Sequence, residues 1–330
     1  MEDANEHHEH QHSGDEDDQS EQVVGRTSNE GFLDDIADDI TDLDLSHERL
    51  VTFVGLGLER FKLLERLSVR QNLIFKIECL EGLGLKELDL YDNRIVDVDG
   101  LEHLKETLVS LDLSFNKIRH IHGVNKLTAL TDLYFVANKI SKIENLVGLS
   151  NVTNLELGAN RIRVIEGLDT LVSIEQLWLG KNKIRRLENL NSLTNLKILS
   201  MQSNRIVRLE NLEHLVNLEE LYLGHNGVSK IENLEHNTRL RVLDLSSNTV
   251  KVLEGLEKLM ELEEVWLSGN QLESYDEIER QLTDKKKLTT VYFEQNPLHL
   301  NNRATYRNKV RLILPWLEQI DGDIIRRPAA

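Results

Sequence analysis

The chain is expected to fold as an α/β repeat, a horseshoe-shaped solenoid of about twelve rungs with a parallel concave β-sheet and short 3-10 or irregular convex segments. Three observations lead there. The pattern L-x-x-L-x-L-x-x-N recurs, as Leu85, Leu88, Leu90, Asn93, then Leu108, Leu111, Leu113, Asn116, then Leu130, Leu133, Phe135, Asn138. From Asn116 to Asn270 the asparagines keep a constant 22-residue step through Asn138, Asn160, Asn182, Asn204, Asn226 and Asn248. A 22-residue unit also has room for one short strand and a compact return, but not for a long convex helix.

Each position has a physical reason. The two leucines of L-x-L point into the core from a strand, and strands of successive rungs pair in parallel. The asparagine stands where the chain leaves the strand, so its amide can satisfy backbone groups of neighbouring rungs that burial would orphan. A second apolar set follows, as in Asn138-Lys139-Ile140-Ser141-Lys142-Ile143-Glu144-Asn145-Leu146, and fills the core from the convex side. The bases right after the ladder asparagine, Arg94, Lys117, Lys139, Arg161, Lys183 and Arg205, fall on a solvent-exposed edge.

Residues 1–37 read as an acidic, largely disordered tail. The first 40 residues carry 14 Asp/Glu against Arg26 alone, a balance of −13 within the chain's −18, so the remaining 290 residues hold only −5. Such a segment cannot bury enough apolar surface to offset its ordering entropy. Residues 38–58 read as an N-terminal cap with a degenerate first repeat around Leu43-Asp44-Leu45 and Leu50. Phe32, Leu33, Ile36 and Ile40 fall at helical spacing and are expected to form a short amphipathic helix over the first rung. Residues 59–296 are the repeats, with Asn72 one 21-residue step before Asn93 and Asn296 a 26-residue step after Asn270. Residues 297–325 should close the array, with a helix from Thr305 to Leu314 ended by Pro315. Cys79, the only cysteine, follows Ile77 in an apolar context and is expected in the core. It cannot form an internal disulfide, which favours a reducing compartment.

Between the core leucines, alternate residues face the concave side. The central column runs Asp89, Asp112, Tyr134, Glu156, Trp178, Ser200, Tyr222, Asp244, Trp266, Tyr292. The column before it runs Glu87, Ser110, Asp132, Asn154, Gln176, Ile198, Glu220, Val242, Glu264, Thr290, and neither contains Lys or Arg. Aromatics on an open sheet have little folding reason to be there beyond stacking on one another, and Trp and Tyr are enriched at binding hot spots. The expected partner-binding set is therefore Asp89, Asp112, Tyr134, Glu156, Trp178, Tyr222, Asp244, Glu264, Trp266 and Tyr292, facing a protein that presents Lys and Arg.

Other chemistry finds no foothold. The sequence has no G-x-x-x-x-G-K-[ST], G-x-S-x-G or H-E-x-x-H motif, so no catalytic residue, metal site or cofactor is expected. His7, His8, His10 and His12 read as a solvated stretch rather than metal ligands. An acidic chain is a poor binder of phosphate backbones, and no apolar run approaches a membrane span, so neither nucleic acid nor membrane is an expected partner. A solenoid with capped ends is expected to be monomeric when alone.

The 22-residue unit with its recurrent Ile-Glu-Asn-Leu, at 143–146 and 231–234, resembles the short-repeat subclass of intracellular leucine-rich-repeat proteins. Rung number, the acidic start and the block from Asn296-Pro297 through Tyr306-Arg307 to Pro315-Trp316-Leu317-Glu318-Gln319-Ile320-Asp321 are similar to the leucine-rich-repeat regulatory subunits of protein phosphatase 1. The resemblance spans roughly residues 40–325. It implies a non-catalytic subunit that grips the phosphatase catalytic subunit with its concave face, in nucleus and cytoplasm, with roles in mitotic chromosome segregation and room for a third regulatory protein. Adaptors of a splicing particle or of cytoskeletal assemblies share the repeat and are the alternatives. Arg49-Leu50-Val51-Thr52-Phe53 also fits a short phosphatase-docking motif, but the repeat is expected to bury its apolar side chains.

Overall fold

A computed structural model describes residues 25–325. Its frame is one continuous sheet. Twelve three-residue strands, joined by eleven turns of the chain, pair in sequence order and in parallel: β1 (Asp42–Asp44), β2 (Arg66–Ser68), β3 (Glu87–Asp89), β4 (Ser110–Asp112), β5 (Asp132–Tyr134), β6 (Asn154–Glu156), β7 (Gln176–Trp178), β8 (Ile198–Ser200), β9 (Glu220–Tyr222), β10 (Val242–Asp244), β11 (Glu264–Trp266) and β12 (Thr290–Tyr292). Register is constant, with Leu111 on Leu133 on Leu155 on Leu177. A hairpin of β13 (Gln319–Ile320) and β14 (Asp323–Ile324) ends the sheet, β13 pairing with β12.

Leucine, isoleucine and valine form a single core running the length of the array. The ladder asparagines hold its rungs together. Asn182 is typical: its Oδ1 accepts from Ile162 N–H at 3.0 Å, and its Nδ2 donates to Leu157, Leu179 and Gly180 carbonyls at 2.9, 3.0 and 3.2 Å. The residue before each asparagine takes a left-handed backbone, for example Ala137 at φ 53° and Lys181 at 54°. Side chains rarely accept that conformation unaided; here cross-rung bonds impose it, as in Lys181 N–H to Gln202 O at 2.7 Å.

A second asparagine column runs down the convex side. Asn145, Asn189, Asn211 and Asn233 are also left-handed and donate to Ile121, Ile165, Leu187 and Leu209 carbonyls of the preceding rung at 2.6–2.7 Å. The corresponding position is glycine in other rungs, and there the carbonyl comes so close that a Cβ would lie 1.7 Å from Val98 O at Gly123 and 2.4 Å from Ile231 O at Gly255. This column corrects the expectation for Cys79. Ile77-Glu78-Cys79-Leu80 matches Ile143-Glu144-Asn145-Leu146, so Cys79 takes the left-handed position at φ 57° and its side chain is exposed rather than in the core.

Convex segments are mostly turns, with short 3-10 pieces at Leu58–Arg60 and Glu102–Leu104. The exception is α1 (Tyr275–Leu282), which the sequence reading did not foresee. The 26-residue step between Asn270 and Asn296 makes room for it. Ser274 caps its start, and Glu277 and Gln281 accept Leu253 and Leu256 N–H from the previous rung at 2.8 and 3.2 Å. At the C-terminal end come α2 (Pro297–Leu300) and α3 (Tyr306–Ile313), the latter within the 305–314 segment expected to be helical. Asp321 ties the closure together, accepting Phe293 and Glu294 N–H at 2.8 and 3.0 Å and the Tyr306 hydroxyl at 2.9 Å.

At the other end, residues 25–37 pack as turns, not as the amphipathic helix expected from Phe32, Leu33, Ile36 and Ile40. Leu33 is buried, Phe32 and Ile40 pack against the core, and Asn29 donates to Thr52 and Val54 carbonyls at 2.8 and 2.9 Å. The part of the acidic segment before residue 25, with His7, His8, His10 and His12, lies outside the described residues.

Candidate functional site

The concave columns are where the sequence pattern puts them, but few of their side chains stand free. Rungs stacked about 4.8 Å apart shade each other, and the central residues are half-buried, with Asp244 only 5% exposed. They gather into two clusters.

The C-terminal cluster is aromatic. Trp266 meets Tyr292 edge-on at 5.5 Å between centroids and Tyr222 at 6.2 Å, so three rings span four rungs with Asp244 between Tyr222 and Trp266. Such tilted pairs are favourable in themselves, so the stacking considered from sequence does occur. The polar tips are oriented by the column before them: the Tyr222 hydroxyl donates to Glu220 at 2.7 Å and Trp266 Nε1 to Glu264 at 2.9 Å. Gln319 of β13 donates to the Tyr292 hydroxyl at 2.6 Å. Burial, then the hydrogen bond to Glu220, raises the Tyr222 phenol well above its ordinary value, so it stays a donor. Glu220 and Gln319 were missed as candidates; Glu220 lay in the column read, but nothing in the sequence pairs it with Tyr222.

The N-terminal cluster is acidic. Asn154 donates to the Tyr134 hydroxyl at 3.1 Å, which in turn donates to Asp132 at 3.4 Å. Burial raises the carboxyl of Asp112 above the usual range despite bonds from Ser114, and burial and then the charge of Asp112 do the same for Glu156. Asp244 is raised chiefly by burial too, against the 2.8 Å bond it accepts from Ser246 N–H. Trp178 stands between the clusters and meets no other ring among the described residues.

Asp89 is different. Arg70 pairs with it at 2.9 Å and lies over the Tyr91 ring at 4.3 Å, and Tyr91 packs on Phe115 at 4.8 Å. The first rungs extend the columns beyond the part read from sequence and bring in a base, Arg66 on β2, hydrogen-bonded to Asp42. The trough is therefore free of Lys and Arg only from β3 onward along these columns. Tyr91 and Phe115 sit two and three residues past the central column, outside the two columns read from sequence, and no signal picked them out.

Phe53 is 1% exposed and Leu50 fully buried, so both serve the first rung, whereas Val51, expected to be buried with Phe53, is only half-buried. Among the described residues no three His, Cys, Asp or Glu side chains are arranged to hold a metal ion, and no helix is long and apolar enough to cross a membrane.

Comparison with known proteins agrees with this architecture. The family described as leucine-rich repeats (2 copies) matches residues 194–236 and 238–280. A solved internalin from Listeria monocytogenes superposes with a TM-score of 0.67 at 22% identity, covering 87% of this chain and 88% of that one, which establishes the leucine-rich-repeat solenoid. The protein phosphatase 1 regulatory subunit SDS22 of Saccharomyces cerevisiae is 43% identical over 104 residues, 31% of either chain. The subunit of the same name from Schizosaccharomyces pombe is 51% identical over 78 residues, 24% of this chain and 23% of that one. The chain thus spans less than two fifths of the length of the curated relatives it matches.

Proposed function

We propose that this leucine-rich-repeat chain is a non-catalytic regulatory subunit of protein phosphatase 1, gripping the catalytic subunit through its acidic, aromatic concave face. The observation that carries the reading is the C-terminal cluster, where rings of Tyr222, Trp266 and Tyr292 are held by Glu220, Glu264 and Gln319. Identity of 43% and 51% to subunits of that name supplies the partner. Pre-ordered aromatics lose little side-chain entropy on binding, and carboxylates with acceptor capacity to spare suit Lys and Arg on the other side.

Mechanism follows from that surface. The trough covers a basic face of the catalytic subunit and controls its availability or targeting without touching a substrate bond. Activity in mitosis, in nucleus and cytoplasm, belongs to this proposal.

Full-length wild type and a Glu264→Ala, Trp266→Ala variant, checked for fold by thermal melting, are used to capture proteins from cell extract. The phosphatase catalytic subunit is expected with wild type only. Capture by both folded proteins would move the site to the Asp112–Glu156 cluster; capture by neither would remove the phosphatase assignment.

A further inference from the structure

We propose a second binding surface: a cationic ridge along the lateral edge just past the asparagine ladder, which takes an extended acidic peptide, and whose occupant is this chain's own residues 1–24. The ridge starts with the column Arg94, Lys117, Lys139, Arg161, Lys183 and Arg205. Their N–H groups donate to Ile74, Ile95, Ile118, Ile140, Ile162 and Ile184 carbonyls at 2.8–2.9 Å, so the backbone is a rigid ladder and each side chain faces outward. The next residue is buried and the one after emerges again, adding Arg119, Arg163 and Arg185 to the same face.

None of these nine cations has an ion-pair partner among the described residues, although bases just beyond them do: Arg186 with Glu210 at 3.1 Å and Arg208 with Glu232 at 3.6 Å. Like charges repeated about 4.8 Å apart repel, and folding gains nothing from them. Midway along, Arg163, Val164, Lys183, Arg185 and Arg186 with Glu188 line a shallow groove of about 340 Å³.

Three facts point to residues 1–24 as the occupant. They carry nine Asp and Glu and no Lys or Arg, with Asp15-Glu16-Asp17-Asp18 contiguous. They join the described chain at this same edge: Arg26 N–H donates to Arg49 O at 2.9 Å, and Gly25 lies against Val51 and Leu73, the latter in the ridge column two rungs before Lys117. The reach also fits. Lys183 lies five rungs from Leu73, roughly 24 Å, and the seven residues from Asp18 to Gly25 span up to about 24 Å extended. The proposal does not depend on the concave-face reading, because the two surfaces share no side chain.

The test is zero-length carbodiimide crosslinking of the full-length chain, with mapping by mass spectrometry. Bonds from Asp15–Asp18 to Lys139 and Lys183 are expected. They should fall at least five-fold in 0.5 M salt and in a variant with Asp15→Asn, Glu16→Gln, Asp17→Asn and Asp18→Asn, which leaves the described fold untouched. Bonds spread evenly over lysines elsewhere, such as Lys86 and Lys258, would overturn the assignment. So would bonds whose yield rises with protein concentration, since those join two chains, or the absence of any bond.

Discussion

Each ladder asparagine bonds four backbone groups, at Asn182 one N–H and three carbonyls, so its side chain acts as part of the main-chain bonding. Replacing Asn182 with alanine removes all four bonds in a buried site. The loss is expected to be about 3 kcal/mol, read as a lower urea midpoint, because the buried Ile162 N–H is left orphaned, which costs more than a made bond gains, and three carbonyl bonds go with it. A change within a few tenths of a kcal/mol would mean that water replaces the amide. Asp244 runs the other way. Burial raises its carboxyl, so the folded state binds a proton more tightly than the unfolded state. The stability it contributes is complete below the unfolded carboxylate range and is lost as pH rises through its folded value. Asp244→Asn, which can still accept from Ser246 N–H, should therefore melt higher than wild type at pH 7, with the gap closing towards pH 4. A lower melting point at pH 7 would show that the charge has a favourable partner in the fold.

At the scale of the element, the convex turn has two solutions for one left-handed position. Asparagine bonds the neighbouring carbonyl, whereas glycine lets it approach. The two should respond unequally. Gly123→Ala places a Cβ 1.7 Å from Val98 O and must push rungs apart, at a cost of about 3 kcal/mol. Asn145→Gly loses one bond to Ile121 O and keeps the backbone unstrained, costing about 1 kcal/mol. Comparable losses in denaturant titrations would mean that the close approach is not needed. Along the edge before the strands, Glu175, Lys197, Glu219, Arg241 and Glu263 alternate in charge, with contacts of 2.8 Å from Lys197 to Glu175 and 2.8 and 3.7 Å from Arg241 to Glu263 and Glu219. These pairs are largely exposed and each is weak and screened by salt. Arg241→Glu should lower the melting temperature at low ionic strength, and most of the difference should vanish in 0.5 M salt.

The whole molecule is quasi-one-dimensional, because each rung touches only its neighbours. Damage to an end should stay near that end. Asp321→Ala frees the Tyr306 hydroxyl and two N–H groups of the last rung, and amide exchange should quicken over β12, α3 and β13 while β4 to β6 keep their protection. Uniform loss of protection would show that the array unfolds as one unit.

Leucines at L-x-L, the constant 22-residue step and the ladder asparagines determined the solenoid, its strand register and the concave columns, because a repeat confined by its neighbours has one way to bury its apolar positions. Lys and Arg after the asparagines were legible as an edge for the same reason. What the pattern could not convey is how side chains meet across rungs. Cys79 reads as core until Ile77-Glu78-Cys79-Leu80 is superposed on rungs whose third residue is left-handed. Asp89 looks like its column mates until Arg70, from the preceding rung, is found on it. The helix α1 fills four extra residues that the sequence shows only as a longer step. Only the tertiary structure decided that Tyr222, Trp266 and Tyr292 form one ring stack held by carboxylates, since the ring contacts join residues 26 and 44 positions apart and depend on curvature and rotamers that no single repeat encodes.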